Sequence, residues 1–266
     1  MNPNNPKIHP ALIALGGGFS GLLLRTVLYR TGFDGKGILS ASHPLHLTCL
    51  VLTVITLVSL ALLARKSKDG LPDRPLLRLP LGLAAGCFLL LHGLNLQAFS
   101  QLTHFRQNAV YLLHRLSGLL PLLHCGLTLT AAAAMVLPAF STGKRRNLSA
   151  VCHGIVCLSF AADMLSRYRT WSGNPQLPDY VFHVLAGTAL SLGSYQTLAL
   201  HTGLGKRTLQ QFFCLSALFL CTLCLSGPEP RAFYLSGALW AAVCLLTVVP
   251  PEEEDPLPEE NDDVSA

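Results

Sequence analysis

The chain has 266 residues, of which 51% are hydrophobic and only 12% charged, with a formal net charge of +5. Soluble domains carry about 25% charged residues, so the composition excludes an ordinary water-soluble fold and points to a lipid bilayer as the surroundings; no nucleic-acid partner is expected. The net charge hides a division: residues 1–249 hold all nineteen Lys and Arg against six acids, whereas residues 250–266 hold eight acids and no base.

Eight apolar runs separated by short charged loops predict helices near 10–29, 44–64, 79–99, 110–138, 148–169, 181–200, 209–225 and 232–249. A helix rises about 1.5 Å per residue, so about twenty apolar residues cross a bilayer core of about 30 Å. The run 45–64 has no charge and is closed by Arg65, Lys66 and Lys68. The expected fold class is all-α, a polytopic integral membrane protein with about eight transmembrane helices. Residues 1–249 form a single transmembrane domain in this reading. Residues 250–266 form an acidic C-terminal tail, too charged and too poor in apolar residues to fold.

The first run contains Gly16, Gly17, Gly18, Gly21 and Arg25. It lacks a small-residue cleavage site after a short apolar core, so it reads as an anchored span and not as a removed signal peptide. The string Gly18-Phe-Ser-Gly21 resembles the motif around the serine of rhomboid-type intramembrane proteases. Its serine lies on the first helix, however, and the available base, His92, on the third. Close helix packing through Gly17-xxx-Gly21 accounts better for the glycines. The following loop runs from Arg30 through Asp34 and Lys36, with three glycines that permit a compact turn. Pro44 suits the first turn of the second helix and leaves His43 near its N-cap. His43 and His46 share a helical face but lack a third metal ligand at any diagnostic spacing.

The third run places His92 and Asn95 on one face near the bilayer midplane, with His124 and Tyr195 at similar depth. Such residues join helices by hydrogen bonds. A haem would need facing histidine pairs, and a single pair does not make that case. The fourth run carries Pro121 inside and Pro138 at its end, and an interior proline kinks a helix. The fifth ends with Asp163, Arg167, Arg169 and Trp171. An acid one to two turns below the interface needs a partner. Arg167, four residues on, is the nearest, and Arg25 is the long-range alternative. The seventh run is the shortest and holds Cys221 and Cys224, read as small interface residues. Nine cysteines, all in or beside apolar spans, disfavour a disulfide framework.

Topology follows from the positive-inside rule. Eleven Lys and Arg fall on the side of the termini and eight on the other, so both termini are expected in the cytoplasm and the chain in the plasma membrane. Seven of the eight outer bases are arginine, whose planar fork binds carboxylate and phosphate in a bidentate way. The outer ends also collect Tyr29, Tyr111, Tyr168, Trp171, Tyr180 and Tyr234.

These residues frame an expected ligand-binding layer of Arg25, Arg30, Asp34, His43, His46, His92, Asn95, Arg106, Asp163, Arg167, Arg169 and Trp171. The expected function is binding or transport of an anionic small molecule or lipid headgroup at an arginine-rich outer face. The alternative is a non-catalytic membrane partner that helps assemble an envelope complex. A membrane enzyme ranks third, because no nucleophile–base pair or metal set is compelling. No catalytic residue, metal or cofactor is assigned. A polar cavity joining Arg25, His92 and Asp163 favours transport; a packed surface favours assembly.

Overall fold

The computed structural model describes residues 10–32, 43–66, 75–95, 112–140, 146–171, 177–227 and 230–247. Side chains at 75–76, 95, 112–122, 139–140, 146, 169–171 and 177–179 lie outside that description. The described chain is all-helical: α1 (Pro10–Thr31), α2 (Pro44–Lys66), α3 (Pro75–Asn95), α4 (Leu112–Phe140), α5 (Arg146–Trp171), α6 (Leu177–His201), α7 (Arg207–Cys224) and α8 (Arg231–Leu246). Five of them (α1, α2, α3, α5 and α7) are long and apolar enough to cross a membrane, and α4 and α8 contribute the shorter apolar segments Leu123–Pro138 and Arg231–Leu246.

The helices pack in a ring that follows the chain from α3 through α8, with α8 closing back onto α3 and α1 and α2 added outside against α7. Short antiparallel connections favour this order, because consecutive helices become neighbours. The α6–α7 turn shows how one is made. Gly203 takes the left-handed conformation (φ 80°), and the amides of Leu204 and Gly205 both donate to the Ala199 carbonyl at 2.9 Å.

Burial is reversed relative to a water-soluble bundle. The outer stripe of α1 is Leu12, Phe19, Leu23 and Val27, all exposed, while its inner stripe is Ala14, Gly18, Gly21, Arg25 and Leu28. On α2 the buried stripe is His46, Cys49, Thr53, Thr56, Leu60 and Ala64, again mostly small or polar. Apolar side chains face outward where lipid solvates them, and small or hydrogen-bonding residues face in. α7, the shortest run in the sequence, is the innermost helix, with thirteen of its eighteen residues buried. Length is not a guide to centrality here: a helix surrounded by protein has no need to match the bilayer alone.

The glycines of α1 serve that contact. An added Cβ at Gly18 would lie 2.8 Å from Thr222 Cβ, and one at Gly21 would lie 2.7 Å from Leu223 Cδ1. Gly17 faces Thr56 of α2 instead, at 3.1 Å, so the close approach to α7 uses Gly18 and Gly21 and not the Gly17–Gly21 pair expected from spacing. Cys221 packs at the α7–α8 interface, its Sγ 3.1 Å from where a Cβ on Gly237 would stand. All nine cysteines are free thiols.

The proline readings also resolve. α4 runs helically through Pro121 and ends two residues past Pro138. α3 begins at Pro75, four residues earlier than the hydropathy boundary, because proline is favoured in a first turn where its missing N–H costs nothing.

Candidate functional site

His92 stands on α3 three residues before Asn95, the last described residue of that helix. With Asp163, Arg25, His183 and Tyr234 from four other helices, all of them buried like it, His92 forms a polar end of the bundle. This polar end contains two groups of side chains joined by one tyrosine.

The first group surrounds Asp163 on α5. Arg167, one turn on, grips it with Nε 2.5 Å from Oδ2 and Nη2 3.3 Å from Oδ1. His92 Nε2 approaches Oδ1 at 3.1 Å from α3, and His124 Nε2 stands 3.5 Å from the same oxygen on α4. An ionised carboxylate only accepts, so His92 donates through Nε2. The Arg167 Nη2 atom 3.5 Å from that nitrogen is therefore a neighbouring donor and not a bonded partner. The guanidinium also lies over the Phe233 ring, 4.7 Å from its centroid, and the His92 ring meets Phe233 edge-on at 5.2 Å. Arginine over an aromatic face keeps its charge at modest cost in a low-dielectric setting. One ring nitrogen in this group, His92 Nδ1, is buried without a hydrogen-bond partner among the described residues.

The second group surrounds Arg25, which is fully buried. Its Nη2 donates to the Tyr29 hydroxyl at 2.8 Å and lies 3.4 Å from His183 Nε2, while Nη1 donates to Cys224 Sγ at 3.6 Å. The Phe182 ring stacks under the guanidinium at 4.9 Å. Arginine can only donate, so His183 accepts through Nε2 and carries its proton on Nδ1, 2.5 Å from the Tyr234 hydroxyl. Tyr234 then closes the layer: its ring lies 5.9 Å from the Arg167 guanidinium. A path of contacts thus runs from α1 through α6 and α8 to α5, α3 and α4.

The expected site residues separate into three sets. Arg25, His92, Asp163 and Arg167 belong to the buried layer. Arg167 is the partner of Asp163, and Arg25 serves α6 and α7 instead. His46 is buried edge-on to Phe182 at 6.2 Å between ring centroids and so borders the Arg25 group. His43 acts at the start of α2: its carbonyl accepts from the His46 amide at 2.9 Å, and its Nδ1 receives the Leu45 amide at 3.4 Å. Arg30 is exposed at the end of α1, unlike the buried Arg25. Asp34, Arg106 and the acidic tail lie outside the described residues, as do the side chains of Asn95, Arg169 and Trp171. Tyr195, expected at the depth of His92, is half exposed on α6. Among the described residues no group of three His, Cys, Asp or Glu is arranged to hold a metal ion.

His183 and Tyr234 were not singled out by sequence reasoning. His183 lies within an apolar run, and Tyr234 counts as an interfacial aromatic when only depth is considered. A helical projection of α8 gives the available signal: Phe233, Tyr234, Gly237, Trp240 and Cys244 are all buried.

At the opposite end, Trp240 Nε1 donates to Ser194 Oγ at 3.0 Å, and His153 is fully buried between Trp240 and a near-parallel His201 ring 5.3 Å away. Ser149 Oγ is 3.0 Å from His201 Nε2. These contacts join α5, α6 and α8 and contain no carboxylate.

No family model, curated protein or solved structure matches this chain.

Proposed function

We propose that the polar end recognises an anionic group, a small carboxylate or phosphate or a lipid headgroup, in a multi-pass protein that binds or transports it across the plasma membrane with both termini in the cytoplasm. One observation carries this reading: around the single carboxylate of Asp163 stand a guanidinium and two imidazoles, and one ring nitrogen, His92 Nδ1, remains buried without a partner among the described residues. Polar atoms at this depth are costly unless satisfied. An anion's oxygen beside Arg167 would accept from His92 Nδ1 once that imidazole takes up a second proton, a charge the anion itself stabilises, and the arginine fork supplies the geometry that selects carboxylate or phosphate.

Thermal unfolding of the purified protein in neutral detergent tests this. Inorganic phosphate, acetate or phosphatidylglycerol is expected to raise the midpoint, with phosphatidylcholine as the neutral control. His92→Gln, whose side-chain amide still donates to Asp163 from the place of Nε2 but offers nothing at the place of Nδ1, is expected to keep the unliganded midpoint and lose the rise. A wild-type protein indifferent to every anion refutes the reading.

The alternative is a non-catalytic partner in an envelope complex. It draws support from the same layer: Arg25 and Asp163 sit among side chains in direct contact, and packed polar networks of this kind fix helix register. It predicts a stable complex with another membrane protein and no ligand response.

A further inference from the structure

A groove of about 720 Å³ runs along the outside of the bundle between α1 and α3, which stand on either side of it. Leu15 and Phe19 form one wall, Leu77 and Phe88 the other, and Leu239 and Ala242 of α8 part of the floor. The one polar lining residue, Thr222, has its hydroxyl committed to the Leu218 carbonyl at 2.8 Å. Nothing along the groove asks for a hydrogen bond.

We propose that this groove seats the hydrocarbon chains of a membrane lipid whose anionic headgroup reaches the polar end, which makes the substrate or ligand class of the site an acyl-chain anion. The headgroup half of the proposal rests on the function proposed above; the groove half does not. Two observations select this occupant. The lining is apolar from end to end, which suits hydrocarbon. The groove's upper margin also continues into the polar layer. The lining residues Leu225 and Leu235 directly follow Cys224, which accepts from Arg25, and Tyr234, which meets His183. An amphiphile entering from the side therefore has its apolar part in the groove as its head reaches the arginine and histidine groups.

The test uses the full chain in vesicles containing phosphatidylglycerol or phosphatidylcholine that carries a photoactivatable diazirine on an acyl chain, with cross-linked residues mapped by mass spectrometry. Expected are cross-links at Phe19, Leu239 and Ala242, stronger for phosphatidylglycerol, and at least a fivefold loss of them in Ala242→Trp or, as a second groove-filling variant, Ala238→Phe. Equal labelling by both lipids with the loss intact upholds the groove and overturns the headgroup assignment. Labelling confined to the exposed face of α2, or groove labelling unchanged by both filling variants, overturns the groove. So does loss of a second copy or of a partner chain on filling it, because that assigns the surface to protein.

Discussion

The Tyr234 hydroxyl lies 2.5 Å from Nδ1 of His183, and with the Tyr234 ring beside Arg167 this contact joins the Arg25 group to the Asp163 group. Because Arg25 can only donate to Nε2, the histidine's proton sits on Nδ1 and Tyr234 receives it. The proton inventory of the layer therefore depends on a tyrosine from α8, a helix with no charged residue after Arg231.

Tyr234→Phe keeps the ring beside Arg167 and removes only the acceptor. It leaves a buried imidazole N–H unsatisfied, which costs about 1–3 kcal/mol. The expected outcome is a lower unfolding midpoint that His183→Phe, added to Tyr234→Phe, partly restores, measured by thermal unfolding in detergent. Equal stability of the wild type and Tyr234→Phe would show that this bond does not hold the layer together.

Asp163 supports a prediction of opposite kind. Its carboxylate answers Arg167, His92 and His124 at once, so Asp163→Ala strands a guanidinium at membrane depth. Breaking one side of a buried pair costs about 3–5 kcal/mol. Removing both charges in Asp163→Ala with Arg167→Met is expected to recover most of that, whereas Asp163→Ala with Arg25→Met is not, since Arg25 contacts Tyr29, His183 and Cys224. Rescue by the Arg25 change would reverse the assignment.

The eight helices were legible because twenty-residue apolar runs have one stable form in a bilayer, a helix with every backbone group bonded internally. The pairing of Asp163 with Arg167 was legible for the same local reason: residues four apart share a face. What could not be read was convergence. His92 and His124 lie thirty-two positions apart, and only the packing of α3, α4 and α5 brings both to one oxygen. The role of Arg25 was half visible. Its place on the stripe Ala14, Gly18, Gly21, Arg25 implied burial, but its partners came from α6 and α7, which no spacing on α1 can name.

The glycines of α1 allow a sharp contrast. Gly18→Ala and Gly21→Ala drive a methyl group to within 3 Å of α7, and overpacking of this sort costs about 1–3 kcal/mol. Gly16, where an added Cβ meets nothing within 4 Å, should accept alanine with no loss and a gain of up to about 1 kcal/mol from helix propensity. Fluorescence-detected size-exclusion after graded heating separates the three variants. An unstable Gly16→Ala beside a stable Gly18→Ala would mean that α1 packs on another face.

Orientation has its own test. Single cysteines at Asp34, Arg106 or Trp171, in a background without native cysteine, are expected to react with an impermeant thiol reagent on intact cells. Cysteines at Ser67 or Thr142 should react only after lysis. The reverse pattern turns the protein over and places the polar end in the cytoplasm.

The arginines decide between a specific site and general attraction to anions. Arg25 is fully buried and Arg167 grips Asp163 with two nitrogens, whereas Arg30 is exposed at the end of α1. A lysine ammonium carries the same charge but cannot reproduce a planar two-point contact. Arg167→Lys and Arg25→Lys are therefore expected to weaken binding of phosphatidylglycerol by about tenfold, or about 1.4 kcal/mol, with little dependence on salt because the groups are shielded from it. Arg30→Lys should leave affinity unchanged, and any contribution from it should fade between low and physiological ionic strength as surface charge is screened. Titrating each variant with labelled phosphatidylglycerol at two salt concentrations reads all three outcomes. Uniform tolerance of lysine with a steep salt dependence would reduce the polar end to a charged surface, and the assembly role would then be the one left to pursue.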